Sequence, residues 1–205
     1  MVVSYGIQSL MTQIEQLPGF VKWLGGLRDR SARAQIQIRI TRLELGLMGD
    51  VKPVGEGVSE LRVDFGPGYR LYFKQRGKEL IFLLAGGDKR SQDSDIKSAI
   101  KLARDLSESS MAKTKTIPFD VVDYFKTPED IAAYLEAAFE DGDPRVISHA
   151  LGNVARAKGM SGIARKAGVG RESLYKALST DGNPELATFI KVMQALGLRL
   201  HAGPA

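Results

Sequence analysis

The spacing of apolar residues changes near the middle of the chain. Up to about residue 106 the chain contains two kinds of segment. In the first kind an apolar residue recurs every three or four positions, and in the second kind apolar and polar residues alternate one by one. Beyond that point the three-to-four spacing dominates. The first spacing is that of a helix with one buried face and the second that of a half-buried strand. We therefore predict an α+β domain followed by an all-α domain.

The first half predicts a sheet of strands with helices packed against it. Short turns containing glycine separate the main strands, which favours an antiparallel meander. We expect helices to bury one face of this sheet and to leave the other open to solvent. Strands are predicted at 13–16, 51–54, 58–65, 69–76 and 79–85, and helices at 18–24, from a cap at Asp29 or Ser31 to about 45, and at 91–106.

The second half predicts helices at about 127–139, 144–158, 160–167, 171–178 and 183–196, with a short strand at 198–201. Thr127, Pro128 and Asp130 have the spacing of a helix N-cap, first helical residue and capping-box acid. The apolar and aromatic stretch at 117–125 is longer than a linker needs. We expect it to pack either on its own domain or on the first one.

Residues 160–178 have the spacing of a helix-turn-helix. Gly168 suits a left-handed turn between two short amphipathic helices, and Ala164 is small where those helices should cross. An ordinary pair of antiparallel helices would have the same pattern, so DNA binding is an interpretation. In such motifs the second helix enters the major groove while the first contacts phosphate. The predicted DNA-binding residues are Ser161, Arg165, Arg171, Glu172, Ser173, Tyr175 and Lys176.

Two of these side chains have specific expected roles. Arg171 has the geometry to donate to guanine O6 and N7, and Glu172 can accept a hydrogen bond from cytosine. Alternatively, Glu172 forms an intrahelical ion pair with Lys176 four residues later.

Composition excludes several classes of protein. The 205 residues include no cysteine and two histidines, which argues against disulfides, thiolate metal sites and histidine-based catalytic sites and favours a cytoplasmic location. We expect no metal and no cofactor. No apolar run is long enough to span a membrane, and the first residues lack the features of a signal peptide. Residues 1–10 are expected to be a leader.

Charge is unevenly distributed along the chain. Residues 120–143 contain eight acidic residues and one basic residue, whereas the regions before 111 and after 143 have net charges of +4 and +6. The acidic block is either a solvated helix face or a segment that lies against a basic surface. For the second interpretation, the predicted contact residues are Asp120, Asp123, Tyr124, Phe125, Glu129 and Asp130.

Cationic side chains cluster on the predicted open face of the sheet. Arg70 and Tyr72 are two positions apart on one strand and therefore share a face. Together with Arg62 and Lys89 they could bind a phosphate backbone, stack a base and stabilise the charge that develops when a phosphodiester is cleaved. Further RNA contacts are predicted at Lys52, Lys74 and Arg90. The alternative is a polar outer face whose cations pair with Glu60, Asp64 and Asp88.

The first half resembles the RelE/ParE toxin superfamily. The segments 50–62, 66–73 and 86–89 are similar to the HigB-like addiction module killer branch, and the resemblance covers about 11–106. It implies ribosome-dependent mRNA cleavage without a metal, with Arg70 on the phosphate, Arg62 and Lys89 as further cations and Tyr72 stacking or positioning. The ParE branch, which poisons gyrase, shares the fold and remains an alternative. Some relatives use a tyrosine or histidine near the C-terminus for proton transfer. The predicted helix after Lys89 has neither, and Lys89 or Asp88 is the substitute we consider.

The second half resembles HigA-type antitoxins with a Cro/repressor-like domain, over about residues 116–203. That resemblance implies binding to the toxin, within one chain or between chains, dimerisation through the antitoxin half and repression of the shared operon. Met111 reads as an antitoxin start, so we predict a toxin domain at 11–106, a linker at 107–116 and an antitoxin domain at 117–203. A plain transcriptional repressor with an inactive RelE-like module is the remaining alternative.

Overall fold

The chain divides into two units, Met1–Phe119 and Asp120–Ala205. The computed structural model describes residues 11–106, 115–179 and 182–201. The predicted leader, 1–10, and residues 107–114 of the predicted linker lie outside this described part. Within it, a six-stranded sheet and eight α-helices give the predicted mixture of α and β structure.

The described residues of the first unit form the sheet and three helices, in nearly the order that the sequence predicts. Its strands are β1 (Gln13–Gln16), β2 (Val51–Gly55), β3 (Val58–Val63), β4 (Tyr69–Arg76), β5 (Leu80–Asp88) and β6 (Ile117–Pro118). Its helices are α1 (Pro18–Gly26), α2 (Arg30–Glu44) and α3 (Gln92–Asp105). The Asp29 side chain accepts a hydrogen bond from the Ala32 amide at 3.0 Å, so Asp29 is the cap of α2.

The strands are ordered β2-β3-β4-β5-β1-β6 across the sheet. The predicted antiparallel meander is confirmed for β2 to β5. Strand β1 joins it in parallel beside β5, and β6 pairs antiparallel with β1 at the edge. The segment at 117–119 therefore lies in the first unit, which is one of the two placements that the sequence leaves open.

The prediction of an open sheet face is wrong. Gly86 and Gly87 are consecutive on β5 and face opposite sides of the sheet. A side chain at Gly86 would collide with Trp23 of α1, and one at Gly87 would collide with Asp95 of α3. Helices therefore pack on both faces. The physical signal is β5 itself, which is buried continuously over 81–84, as a strand covered on both faces should be.

Helix α3 covers the face that was expected to be open. Its inward side chains join residues of β3, β4 and β5 in one apolar cluster, which consists of Leu17, Val58, Tyr72, Phe82, Leu84, Ala99, Ala103 and Leu106. The cationic part of the same face lies towards the N-terminal end of α3, beyond this cluster.

The second unit is helical. A 3₁₀ helix (Val121–Tyr124) precedes α4 (Pro128–Asp141), α5 (Pro144–Lys158), α6 (Met160–Ala167), α7 (Arg171–Ala177) and α8 (Leu186–Ala195). The capping box of Thr127 and Asp130 is confirmed. The predicted strand at 198–201 is wrong, since these residues have no regular structure. A strand needs a paired edge, and the elements described for this unit are all helices.

In the described residues, none of the helices is long and apolar enough to cross a membrane. In the same part of the chain, no group of three or more histidine, cysteine, aspartate or glutamate residues is arranged to hold a metal ion.

Candidate functional site

Two arginines face each other on neighbouring strands of the first unit. Arg62 of β3 stands directly opposite Arg70 of β4 in the register of the sheet. With Lys89 they line an open cleft of about 260 Å³, whose other lining side chains include Asp50, Asp64 and Tyr69. The structure thus brings together three of the four predicted catalytic residues.

A buried carboxylate connects the two arginines. The Glu60 side chain is 1 % exposed, and it accepts a hydrogen bond from Arg62 Nε at 3.0 Å. Arg70 Nε lies 3.5 Å from the other carboxylate oxygen, an ion pair without hydrogen-bond geometry. Gln92 of α3 donates to Glu60 at 2.8 Å. A carboxylate with this many partners holds both guanidinium groups in place.

The two guanidinium groups differ in exposure. The Arg70 side chain is 12 % exposed, and its Nη1 donates to the Gly68 carbonyl oxygen at 3.1 Å. The Arg62 side chain is 39 % exposed and reaches Asp50 at 3.8 Å. The hydrogen bond to Glu60 raises the pKa of Arg62 above its ordinary value. The cleft therefore combines one nearly immobilised cation with one that is accessible to a ligand.

This arrangement suits an anion with several oxygens. Guanidinium groups bind phosphate through directed N–H donors, and two of them on adjacent strands can contact one phosphate group from two sides. Lys89 is exposed and adds a further positive charge to the cleft. Fixed cations of this kind stabilise negative charge that develops on a phosphodiester during cleavage.

Tyr72 lies below the cleft. It is 0 % exposed, and its hydroxyl donates to Glu60 Oε2 at 3.3 Å. Burial, followed by the Glu60 charge, raises the pKa of Tyr72 far above its ordinary value. The prediction that Tyr72 stacks on a base is wrong, because no part of its ring is exposed. Positioning of the Glu60 carboxylate is still a prediction.

The three predicted RNA-contacting cations lie elsewhere on the first unit. Lys52 is exposed on β2. The Lys74 ammonium donates to the Ala103 carbonyl oxygen at 3.0 Å, which ties it to the last turn of α3. The Arg90 side chain is 87 % exposed and pairs with Asp88 at 2.7 Å, and this contact lowers the pKa of Asp88. Among the described residues, those that line the cleft do not include these three.

Sequence reasoning missed part of this site. It treats Glu60 as one of several possible surface partners, whereas the structure buries it completely. Gln92 and Tyr69 were not predicted. The position of Glu60 is the signal that could have identified it. Glu60 lies two residues before Arg62 on an alternating strand, so the two side chains share a face, and it lies opposite Tyr72 in the next strand.

The two short helices predicted within 160–178, and the turn between them, are present in the second unit. Gly168 adopts a left-handed conformation, with φ +67°, between α6 and α7. The apolar side chains on the inner faces of the two helices are buried: Ile163, Ala164, Ala167, Leu174 and Leu178. Because the apolar side chains of both helices are packed inside the unit, the polar side chains of both helices lie on its outer face.

All seven predicted DNA-binding residues are exposed. Tyr175 is 44 % exposed, and the Arg171 guanidinium lies 5.5 Å from the centre of its ring, a cation–π distance. The start of α7 therefore presents a basic and aromatic surface. Whether this surface contacts DNA is still a prediction.

Several of the acidic-block residues are engaged inside the second unit. Asp120 pairs with Arg156 of α5 at 2.6 Å, and Asp130 is 8 % exposed in its capping box. Tyr124 is also buried, and the Phe125 ring packs against Tyr134 of α4 at 5.1 Å. The prediction that Asp130 and Tyr124 contact a basic partner surface is therefore wrong, because both side chains are already buried within the second unit. Asp123 and Glu129 are exposed, and their predicted role stays a prediction.

A family model matches the second half of the chain, and two curated proteins are similar to parts of it. Residues 115–204 match the family of probable addiction module antidote proteins. A curated protein of Haemophilus influenzae strain Rd is 48 % identical over 94 residues, which cover 46 % of this chain and 95 % of that protein. A second protein of the same organism is 49 % identical over 83 residues, which cover 40 % of this chain and 86 % of it. Both are described as uncharacterized, and no solved structure matches.

Each of these relatives is covered almost completely, at high identity, by a part of this chain. The antidote match also includes all the described helices of the second unit. The chain therefore belongs to the family of these Haemophilus influenzae proteins, and its second half contains an antidote-type domain.

Proposed function

We propose that the chain combines a toxin and its antidote, with residues 11–106 acting as a ribosome-dependent mRNA endoribonuclease of the RelE/HigB type. The observation that carries this proposal is the cleft in which Arg62, Arg70 and Lys89 meet. An antidote domain needs a toxin as its partner, and the preceding domain of the same chain has a cleft lined by three cationic side chains.

In this proposal the cleft binds the scissile phosphate of mRNA. Arg70, which Glu60 and the Gly68 carbonyl hold in one position, contacts the phosphate. Arg62 and Lys89 approach from the accessible side and stabilise the additional negative charge of the transition state. Because the guanidinium groups are fixed before the substrate arrives, little reorganisation is needed during the reaction.

Residues 117–203 act as the antitoxin in this proposal. They inhibit the nuclease and bind operator DNA through α6 and α7, with Arg171 and Glu172 at the base edges and Ser161 and Arg165 at phosphates. Antitoxin halves of two chains would form a dimer that recognises two half-sites.

Cleavage of mRNA on purified ribosomes tests the nuclease. We expect residues 1–110 to cut ribosome-bound mRNA, and Arg70→Ala to reduce cutting at least about a hundredfold, as loss of one preorganised charge donor typically does. Lys78→Ala is the matched control, because it removes one exposed positive charge from the turn between β4 and β5, away from the cleft.

Two other results would contradict the nuclease. Stalled gyrase–DNA complexes with intact mRNA would instead identify a ParE-like poison. Folded protein without either activity would identify an inactive module attached to a repressor.

A further inference from the structure

Strand β6 comes from the antidote-type sequence but belongs to the sheet of the first unit. The antidote match begins at residue 115, whereas the first unit extends to Phe119. Between these two limits, Ile117 pairs with Gln16 and Pro118 pairs with Glu15 of β1. Two residues of the antidote sequence therefore add a strand to a sheet that otherwise consists of toxin-half strands.

The contact is made by the backbone of both strands and by one side chain of β1. The Phe119 amide donates to the Ile14 carbonyl oxygen at 2.9 Å, and Gln16 Nε2 donates to the Pro118 carbonyl oxygen at 3.4 Å. Gln16, Ile14 and Phe119 are 3 %, 4 % and 8 % exposed. Without β6, strand β1 would be the edge of the sheet, and its outer carbonyl and amide groups would lack this partner strand.

Pro118 is placed so that it ends the sheet. Hydrogen-bonded and non-bonded pairs alternate along an antiparallel ladder, and the Phe119–Ile14 pair is a bonded one. The neighbouring pair, Pro118 and Glu15, is therefore non-bonded, and the proline nitrogen faces away from β1. The proline costs no bond to β1 and offers no donor to a further strand. This is the sequence expected of a segment that closes an open edge.

We propose that residues 117–119 are the anchor of the antidote half: an added strand that occupies the open edge of β1 and holds the two halves together even when the chain between them is cut. The proposal rests on the proposed function, because it assigns the two halves to antidote and toxin. Strand β6 lies three strand positions from β4, which corresponds to about 14 Å. The strand therefore anchors the antidote without itself filling the arginine cleft.

The test uses the full chain with a protease recognition site introduced within residues 107–114. After cleavage, dissociation of the two fragments is followed on a surface that captures one of them. Phe119→Pro removes the amide that donates to Ile14. Lys115→Pro is the matched control, since it places a proline on an exposed residue just before β6. Pro118→Ala is a second control, because the nitrogen it restores faces away from β1.

We expect the cleaved wild-type fragments to stay together and Phe119→Pro to dissociate about tenfold faster, the effect of leaving one buried carbonyl unpaired. Both controls should dissociate like the wild type. Equal dissociation of Phe119→Pro and Lys115→Pro would overturn the proposal, as would immediate separation of the wild-type fragments.

A second measurement needs no variant. Hydrogen exchange of the cleaved wild-type protein should show the Phe119 amide protected, and exchange at the rate of an unstructured peptide would contradict the anchor. Both readouts report association alone. The nuclease could therefore be absent while the anchor is present, and the two failures are distinguishable.

Discussion

Arg62 and Arg70 stand directly opposite one another on β3 and β4, and both lie within ion-pairing distance of Glu60. Like charges at opposed positions of a sheet repel. The buried carboxylate offsets this repulsion and fixes the direction of each guanidinium group. The positive charge of the cleft is thus maintained by a residue that a ligand cannot touch.

Neutralising Glu60 should destabilise the first unit. Glu60→Gln leaves two opposed arginines without their shared anion, and we expect a loss of about 1–3 kcal/mol in the free energy of unfolding. Urea denaturation provides the measurement. Glu79→Gln, an exposed change of the same type, is the control. A midpoint for Glu60→Gln equal to that of the control would show that the pairing contributes nothing.

The stability of the first unit should fall in alkali because of Tyr72. The pKa of Tyr72 is raised in the folded protein, so the folded state holds the phenolic proton more tightly than the unfolded chain. The resulting stability is complete below the unfolded pKa of about 10 and is lost as pH rises above it. Unfolding free energies measured between pH 8 and 11 should therefore decrease less steeply in Tyr72→Phe. Identical slopes would contradict the burial of the phenol.

The second unit should show the opposite pH dependence through Asp120. The hydrogen bond from Arg156 lowers the pKa of Asp120, so this contribution is present above the unfolded pKa of about 4 and is lost as pH falls through the folded value. Both side chains are partly exposed, which limits the pair to about 1 kcal/mol. Arg156→Ala should lower the unfolding free energy at pH 7 and flatten its decline in acid, and Arg145→Ala is a comparison with another surface arginine.

Binding to DNA upstream of the coding sequence should depend on α7. Arg171→Ala is expected to weaken binding by about 1–3 kcal/mol and to relax sequence preference, because it removes a base contact. Arg165→Ala should weaken binding to all sequences alike and reduce the salt dependence by about one phosphate contact. Fluorescence anisotropy at several salt concentrations separates the two effects. Equal affinity of Arg171→Ala and the exposed Lys126→Ala would argue against the helix-turn-helix as the DNA surface.

Much of the fold follows from local patterns. The meander of β2 to β5 and the extent of α2 are encoded by residue spacing and turn glycines, which act within or between neighbouring elements. The cap of α4 and the turn at Gly168 are set by chemistry within a few residues. Such features could be predicted because no distant contact decides them.

The features that were missed depend on distant contacts. Strand β6 is two residues long and contains a proline, so it has no alternation to detect, and its pairing with β1 crosses about a hundred positions of sequence. The burial of Glu60 depends on Gln92 of α3, which comes from another element. The strand at 198–201 was predicted only from the alternation of apolar and polar residues, without a neighbouring strand edge on which it could pair.

The growth of cells that express the two halves separately and together tests the whole proposal most directly. Residues 1–110 induced alone should arrest growth, and residues 111–205 supplied from a second plasmid should restore it. Arg70→Ala in the first fragment should abolish the arrest while Lys78→Ala leaves it intact. Normal growth with a folded, undegraded first fragment, or arrest that the second fragment does not relieve, would contradict a toxin and its antidote in one chain.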